Sequence, residues 1–583
     1  MKNQELSKLL FEIAEILELK GVDWKPQAYR RAAQSIDTLS EDIEEVYKEK
    51  GEKGLREIPG VGEAIAAKIA EFLKKGKVAR FEEIKKSIPP GLKDLMEVSG
   101  LGPKKAMFLY KKLGIKSVAD LERAIKRHNI SGLERFGKKS EENLSRGVEV
   151  FKKGQERKLL GEILPIATSL VEQLKKSKEV RRVEYAGSLR RMKETIGDID
   201  LLATSSKPAK VIQYFTSLPD VKRILAQGPT KATVILKDGM QADLRVLKEG
   251  EYGSAMQYFI GNKEHNIKLR EIAIRKGLKL SEYGLFKRTG LRAQGSEQWM
   301  RIAGSTEEGI YKKLGLEWIP PELRENTGEI EAAQKGALPS LIELRDMKGD
   351  LHVHTKYSDG NDSIGKMVEA AAARGYEYIA ITDHSKSRAN AGGLSESELQ
   401  KQWKEIDALN RKQKRIHILK GTECDILADG SLDYSDRILS KFDLVVASIH
   451  SGFKATERQM TERICRALGN KYVTILGHPT GRLINRRPPY EVDMEQIFQV
   501  ARKNKKILEI NSFPRRLDLN DSHIRAAKNA GCRFSIDTDS HSFRHLAFIH
   551  YGVAQARRGW LEEKDVVNAH SLKELIRILK KDI

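Results

Sequence analysis

Three rhythms of apolar and polar positions run along the chain. Residues 1–155 read as helices joined by short glycine-containing turns, opening with an amphipathic stripe at Leu6, Leu9, Leu10, Ile13, Ile16 and Leu17. In the middle, the apolar runs 232–236 and 241–247 flank Asp238-Gly239, a hairpin signal between two strands. From residue 341 onward, short apolar runs alternate with polar clusters and helical stretches, at 350–354, 378–384, 416–423, 444–450, 473–478, 507–511 and 534–541. Seven strands alternating with helices predict a parallel α/β barrel, in which the strand C-termini carry the chemistry. Residues 319–340, between Pro320-Pro321 and Pro339, hold few large apolar side chains and are expected to form a linker.

The middle region offers two aspartates at Asp198-Ile199-Asp200. A strand has period 2, so both would share one face. Two carboxylates side by side in a half-apolar strand repel each other, and their burial is costly unless a cation offsets it. Upstream, Gly187-Ser188 lets the backbone approach an anion, with a hydroxyl, Arg190 and Arg191 close by. Asp243, beyond the hairpin turn, is expected in the same sheet. Three carboxylates could hold two divalent metals, one activating an attacking oxygen and one steadying the leaving phosphate. That pattern fits nucleotidyl transfer and resembles the nucleotidyltransferase superfamily, whose acceptors include antibiotics, tRNA and proteins, so the acceptor stays open.

The helical region narrows the acceptor. Ile58-Pro59-Gly60-Val61-Gly62 and Val98-Ser99-Gly100-Leu101-Gly102 each place an apolar residue and Gly-x-Gly before a helix. Such turns leave N–H groups exposed at a helix N-terminus, which suits a phosphate. Gly60, Val61, Gly62, Gly100, Leu101 and Gly102 match helix-hairpin-helix turns, which hold a DNA phosphate without reading sequence. Residues 130–139 look like a degenerate third copy. Lys68 follows the first turn on an otherwise apolar helix and could form a Schiff base with an abasic sugar.

Composition supports a polyanionic partner. The 583-residue chain carries 105 Lys and Arg against 82 Asp and Glu, a net charge of +23. An excess of this size favours nucleic acid through counterion release. Cys424, Cys465 and Cys532 are scattered and odd in number, which suits a reducing cytoplasm better than a disulfide framework. No apolar run approaches the roughly 18 residues of a membrane span, and the acid-bearing N-terminal helix is not a secretory signal. No membrane association and a monomer are expected.

Taken together, the helix-hairpin-helix pair, Gly187-Ser188-x-x-Arg191, Asp198-x-Asp200, Asp243 and Tyr258-Phe259-Ile260-Gly261 resemble a family X DNA polymerase, similar to polymerase beta, over about residues 1–318. The resemblance implies that Asp198, Asp200 and Asp243 bind two Mg²⁺ or Mn²⁺ ions, with Asp243 also the base or primer-hydroxyl partner. It implies that Gly187, Ser188 and Arg191 receive the incoming dNTP. Tyr258, Phe259 and Gly261 would lie near its sugar, Asn266 and Arg270 near the nascent pair, and Lys68 where the family's lyase nucleophile lies. Two positions depart from polymerase beta: Gln241 replaces a basic residue, and Asn262-Lys263 lacks an acid that contacts the nucleotide base.

Nearly every run after residue 341 ends in His, Asp or Glu. His352-x-His354 has metal-ligand spacing within a strand, and convergent histidines and carboxylates without cysteine favour a hydrolytic cluster. His417, His523, His545, His550 and His570 are read as ordinary core or surface groups. The strand-end set resembles the polymerase-and-histidinol-phosphatase (PHP) family of trinuclear phosphoesterases. That resemblance implies one site of His352, His354, Glu423 and Asp539, a second of Glu423, His450 and His478, and a third of Asp359, His384 and His541. Up to three Zn²⁺, Mn²⁺ or Fe ions would be held, with Asp362 a close alternative to Asp359.

The fused arrangement matches bacterial family X polymerases. The expected organisation is a helical lyase-like DNA-binding domain at 1–83, helix-hairpin-helix fingers at 84–158 and a nucleotidyltransferase palm sheet at 159–249. A thumb at 250–318, the linker and a distorted (βα)7 PHP barrel at 341–583 would follow. The expected activity is filling of short gaps in primer-template DNA, as in base excision repair, with metal-dependent 3′–5′ exonuclease activity in the barrel. Abasic-site endonuclease and 5′-dRP lyase activities are further candidates. The alternative is a nucleotidyltransferase fused to a phosphoesterase for small molecules.

Overall fold

The computed structural model describes residues 2–581 apart from 20–21, 23–24, 38–42, 59, 87–94, 96–97, 99–100, 102, 135, 139, 143, 146, 149–156 and 292–296. They form two compact units. The first comprises Met1–Lys158, Thr168–Gly187 and Gly197–Trp318; the second comprises Leu159–Ala167, Ser188–Ile196 and Ile319–Ile583.

In the first unit, the stripe of Leu6, Leu10, Ile13 and Leu17 on helix Lys2–Leu19 packs with Ala32, Ile36, Ile69 and Phe81 into one helical core. A second helical core gathers Leu101, Ala106, Leu109, Leu121, Ile125 and Ile130 around helices Pro103–Leu113 and Val118–Lys126. A five-stranded sheet follows, in the order Arg182–Tyr185, Ile199–Thr204, Gln241–Leu247, Lys231–Leu236 and Val221–Gln227. Ile199–Thr204 and Gln241–Leu247 run parallel in its centre, and the other pairings are antiparallel. The hairpin at Asp238-Gly239 is present, with Gly239 in the left-handed region at φ +88°. Helices Tyr252–Ile260 and Lys263–Arg275 then lead to an antiparallel sheet of Leu278–Ser281, Gly284–Leu291 and Glu297–Ala303.

In the second unit, seven parallel strands pair in chain order: Gly349–Val353, Tyr378–Ile381, His417–Asp425, Leu444–Ser448, Ile475–Leu476, Ile507–Asn511 and Arg533–Asp537. A bridge between Val353 and Ser540 brings the last strand's end back to the first, so the barrel is nearly closed. Its strands are covered on both faces, which is why they read as continuous apolar runs.

Residues 319–340 differ from the expected linker. They carry helix Glu329–Gln334 and bury Ile319, Leu323, Ile330 and the whole of Arg324, whose Nε donates to the Ile319 carbonyl at 2.8 Å. A few well-spaced apolar side chains suffice to seat a polar segment. The pieces Leu159–Ala167 and Ser188–Ile196 of the expected palm likewise cluster with the second unit. Arg482 grips the Glu194 carboxylate at 2.6 and 3.2 Å, while Arg558 and Gln555 donate to the carbonyls of Arg191 and Met192 at 2.8 and 3.2 Å. Among the described residues, no helix is long and apolar enough to cross a membrane.

Candidate active sites

The central parallel strands of the five-stranded sheet bring the carboxylates together. Asp200 and Asp243 are register partners, and Asp198 stands one residue before its strand begins at Ile199, exposed at the rim. Alternation along Gln241–Leu247 turns Gln241, Asp243 and Arg245 to one face while Ala242 and Leu244 enter the core. Burial, then the charges of Asp198 and Asp243, push the Asp200 carboxyl up to about 7. Although its residue is exposed at the rim, Asp198 is raised as well, by partial loss of water around its carboxyl and by the charge of Asp243. Acids this reluctant to ionise beside one another are the donor set a hard divalent cation would stabilise. Gly187 closes the cradle: its φ is +62°, and a Cβ there would lie 2.3 Å from Asp200 Oδ2.

Asp243 is held differently. It accepts from Thr233 Oγ1 at 2.5 Å and from Gln241 Nε2 at 2.7 Å, and Lys231 Nζ lies 3.2 Å away. Gln241, one of the two departures noted in the sequence, thus orients the acid, while Lys231 on the neighbouring strand supplies a cation. Neither Lys231 nor Thr233 was identifiable from sequence, because their contact depends on strand register.

The expected nucleotide-contacting residues have mixed settings. Ser188 lies in the short helix Gly187–Arg190, and Arg191 donates from Nε to Glu325 at 2.8 Å within the second unit, where Arg558 lies 3.2 Å from the same carboxylate. Tyr258 and Phe259 meet edge to face at 5.1 Å, and the Arg245 guanidinium lies 4.7 Å from the Phe259 ring centre. Asn266 is committed to its own chain: Nδ2 donates to the carbonyls of Tyr258 and Gly261 at 2.7 and 3.0 Å, and Gln257 donates to its Oδ1. Gly261 leaves room for that contact, since a Cβ would stand 2.6 Å from Asn266 Oδ1. Arg270 donates from Nε to the Asn266 carbonyl at 3.3 Å. Asn262, the second departure, caps helix Lys263–Arg275 by accepting from the His265 N–H at 2.7 Å.

The turns of the helical cores repeat one geometry. Val61 N–H donates to Ile58 O at 3.0 Å, Leu101 to Val98 at 3.0 Å and Leu133 to Ile130 at 3.1 Å. At the first turn Gly60 has φ +83° and packs on Arg31, while Gly62 caps helix Glu63–Lys75 with open space around its Cα. Gly100 and Gly102 of the second turn lie outside the described residues, as do Arg135 and Lys139 of the third. The degenerate third copy supplies its own anion: Glu141 accepts from the N–H groups of Ile130 and Ser131 at 3.0 and 2.8 Å. Lys68 donates to the Ala64 carbonyl at 2.8 Å, and its pKa is lowered by burial and by Lys25. A lowered ammonium pKa raises the fraction of nucleophilic amine.

At the barrel mouth all nine strand-end residues converge. His352 Nε2 and His354 Nε2 each lie 3.5 Å from Glu423 Oε2, and His354 Nε2 lies 3.3 Å from Asp539 Oδ1. The other Glu423 oxygen faces His450 and His478 at 3.1 and 2.9 Å. Asp359 lies 3.5 Å from His384 and 3.3 Å from His541. Asp362 instead takes Lys366 at 2.6 Å and the Phe543 N–H at 3.0 Å, which leaves Asp359 as the carboxylate of that cluster. His478 and Asp539 adopt left-handed backbone at φ +28° and +52°, costly conformations for such residues.

The electrostatics of this mouth suit cations. Although burial opposes its charge, His450, His384 and His352 hold the Glu423 carboxyl well below its usual range. Glu423 and Asp359 outweigh burial to push His384 up to about 10, and Asp359 and Asp539 do the same for His541, to about 9. Burial, His541 and His384 push His354 down to about 3. His352 Nε2 and both His354 ring nitrogens are buried without a hydrogen-bond partner among the described residues, which suits nitrogens that would coordinate a cation. Three overlapping groups have spacing for a metal: His352, His354 and Asp539; His384, Glu423 and His450; and His354, Asp359, His384 and His541. Two carboxylates missed in the sequence stand behind this layer. Glu509 accepts His352 Nδ1 at 2.5 Å and Asp425 meets His450 Nδ1 at 2.7 Å, so each ring keeps Nε2 toward Glu423. Glu509 also interrupts an apolar run, between Leu508 and Ile510, a signal that could have found it.

Comparisons with known proteins agree with both halves. Residues 1–78 match the helix-hairpin-helix domain, 92–147 the SAM-like helix-hairpin-helix tandem, 255–325 the DNA polymerase beta thumb and 350–513 the PHP domain. The chain is 39% identical over 585 aligned positions, covering both proteins completely, to the DNA polymerase/3′-5′ exonuclease PolX of Bacillus subtilis (strain 168). A probable phosphatase of Thermoanaerobacter sp. (strain X514) is 28% identical over 250 residues, 40% of this chain and 96% of the phosphatase. One of Caldanaerobacter subterraneus subsp. tengcongensis is 30% identical over 203 residues, 33% and 75% of the two chains.

Proposed function

Since the chain belongs to the family of the DNA polymerase/3′-5′ exonuclease PolX, we propose that its two clusters of acids and histidines divide synthesis and degradation of DNA between them. The protein is a DNA polymerase with 3′–5′ exonuclease activity. The observation that carries the assignment is chemical. The sheet of the first unit offers three carboxylates beside a glycine cradle, whereas the barrel offers nine convergent histidines and carboxylates.

In the proposed reaction Asp198, Asp200 and Asp243 would hold two Mg²⁺ or Mn²⁺ ions, whose chemistry would be to neutralise charge on the triphosphate and lower the pKa of the primer hydroxyl. Asp243, fixed by Thr233 and Gln241, accepts the hydroxyl proton. Gly187 and Ser188 offer the triphosphate a backbone approach and a hydroxyl, and Arg191 adds charge after exchanging Glu325 for phosphate. Tyr258, Phe259 and Gly261 border the sugar. Asn266 shapes that wall through the Tyr258 and Gly261 carbonyls, and Arg270 lies toward the nascent pair. The turns at Gly60–Gly62 and Gly100–Gly102 hold DNA backbone phosphates, and Lys68 is the candidate for 5′-dRP removal. In the barrel the nine strand-end residues would hold up to three Zn²⁺, Mn²⁺ or Fe ions, which would supply a hydrolytic nucleophile and charge neutralisation, while Glu509 and Asp425 keep His352 and His450 oriented. Repair of short gaps in the cytoplasm by a monomer is the setting we infer, with abasic-site incision a further activity of the barrel.

The test is a gapped duplex with a matched or mismatched primer end, supplied with dNTPs and either Mg²⁺ or Mn²⁺. Extension of the matched end and trimming of the mismatched end before extension are expected; extension without any shortening would remove the exonuclease from the reading. The phosphatase relatives favour a second reading of the barrel, as a phosphoesterase for small molecules. Faster release of phosphate from small monoesters than of nucleotides from single-stranded DNA would favour it.

A further inference from the structure

Several arginines surround the barrel mouth, and most are already committed to protein. Arg482 is spent on Glu194 and on the carbonyls of Arg516 and Leu517. Arg463 bonds the carbonyls of Ile426, Leu427 and Ser451. Arg487 forks onto the Gly481 carbonyl at 2.7 and 3.1 Å and lies over the Phe453 ring at 4.0 Å.

Arg516 is the exception. Its main chain is fixed, with its N–H on Phe513 O at 2.8 Å and its carbonyl on Arg482 Nε at 2.9 Å, and fully buried Leu517 and Leu519 anchor the loop just beyond. Its side chain is only 18% exposed, yet among the described residues its one charged or hydrogen-bonding partner is Asp539, whose Oδ2 lies 3.3 Å from Nε. Both amino groups of the guanidinium, four of its five N–H donors, are left over.

Asp539 divides its oxygens. Oδ1 faces His354 at 3.3 Å, toward the metal cluster, and Oδ2 faces Asn511 at 3.1 Å and Arg516. Arg516 therefore stands beside the cluster, held by one ion pair, with a planar fork unused in a mostly enclosed place. A guanidinium fork matches two oxygens of one phosphate, and loss of water strengthens that pairing.

We propose that Arg516 is a substrate-binding residue of the barrel, gripping the non-bridging oxygens of the DNA phosphodiester to be cut. The proposal rests on the exonuclease reading of the barrel. Arg516 takes part in no bond exchange; it balances negative charge on the phosphate and fixes its orientation. A small monoester and a DNA diester both carry such oxygens, so the kinetics are compared on both.

The test uses the full-length chain as wild type, Arg516→Ala, Arg516→Lys and, as a neighbouring control, Arg515→Ala. Three quantities are read: kcat and KM for 3′-end degradation of a single-stranded oligonucleotide, metal content per chain, and gap filling by the same preparation. Arg516→Ala is expected to lower kcat/KM about 100-fold, with metal content and gap filling unchanged and partial recovery on adding guanidinium ion. Arg516→Lys should retain more activity than Arg516→Ala, and Arg515→Ala should match wild type. An Arg516→Ala protein that degrades DNA normally, or that loses metal in step with activity, overturns the proposal, the latter because Arg516 would then serve only Asp539. A wild-type chain that hydrolyses small monoesters but not the oligonucleotide removes the exonuclease reading itself, a result distinct from either.

Discussion

The two clusters solve the problem of gathering negative charge in opposite ways. In the sheet, three aspartates crowd together with no histidine between them, and the cost appears as an Asp200 carboxyl pushed up to about 7 by burial and its neighbours. In the barrel, carboxylates alternate with imidazoles, so Glu423 stays ionised at full burial because His450, His384 and His352 surround it. An oxygen-only site of this kind takes hard ions that arrive with substrate, whereas a buried nitrogen-and-oxygen site takes resident ions with more affinity for imidazole. The difference teaches that, on the proposed reading, one chain would carry two metal sites with different ion requirements.

Metal exchange should expose that difference most strongly. After exhaustive chelation both activities are expected to vanish. Mg²⁺ alone should then restore gap filling, while degradation returns only with Mn²⁺, Zn²⁺ or Fe²⁺. Equal restoration of both by Mg²⁺ would erase the contrast.

Gly187→Ala should damage one side only. The added Cβ falls 2.3 Å from Asp200 Oδ2, so the carboxylate must move by about 1 Å, which is enough to lower gap filling about 100-fold. Steady-state extension rates check this, and exonuclease rates on the same protein should not change. Asp425→Asn is the mirror experiment. It leaves His450 Nδ1 without its carboxylate and should lower metal affinity or degradation about 10- to 100-fold, measured by competitive chelation, with synthesis intact.

The smallest effect concerns pH. With pKa values raised to about 10 and 9, His384 and His541 favour the protonated form at neutral pH, and a metal bound there would have to displace those protons. Metal affinity of the barrel should therefore rise from pH 6 to pH 9, with protons released on binding. The metal-free protein should show the reverse trend in stability: these histidine–carboxylate pairs contribute fully below the free histidine value of about 6.5 and are lost as pH passes 9 to 10. Melting temperatures with and without chelator, measured across that range, would show whether the slopes have opposite sign.

Much of this organisation was legible in the chain. The barrel strands could be read because burial on both faces makes each a continuous apolar run, and their ends because His352-x-His354 and its counterparts interrupt those runs with histidines and carboxylates. The triad was readable through Asp198-x-Asp200 and the Asp238-Gly239 turn. What escaped depends on register and on distant packing. Lys231 and Thr233 meet Asp243 only through the pairing of two strands. Arg516 reaches Asp539 from a loop 23 residues away in sequence. The seating of residues 319–340 rests on Ile319, Leu323 and Ile330, too few to register as a pattern.

The central claim is that synthesis and degradation belong to separate sites. Asp243→Ala and His450→Ala, each assayed for gap filling and for 3′-end degradation on one labelled DNA, test it most directly. The account predicts complementary losses: Asp243→Ala stops synthesis and leaves degradation, and His450→Ala does the reverse. Loss of both activities from either folded variant would contradict it.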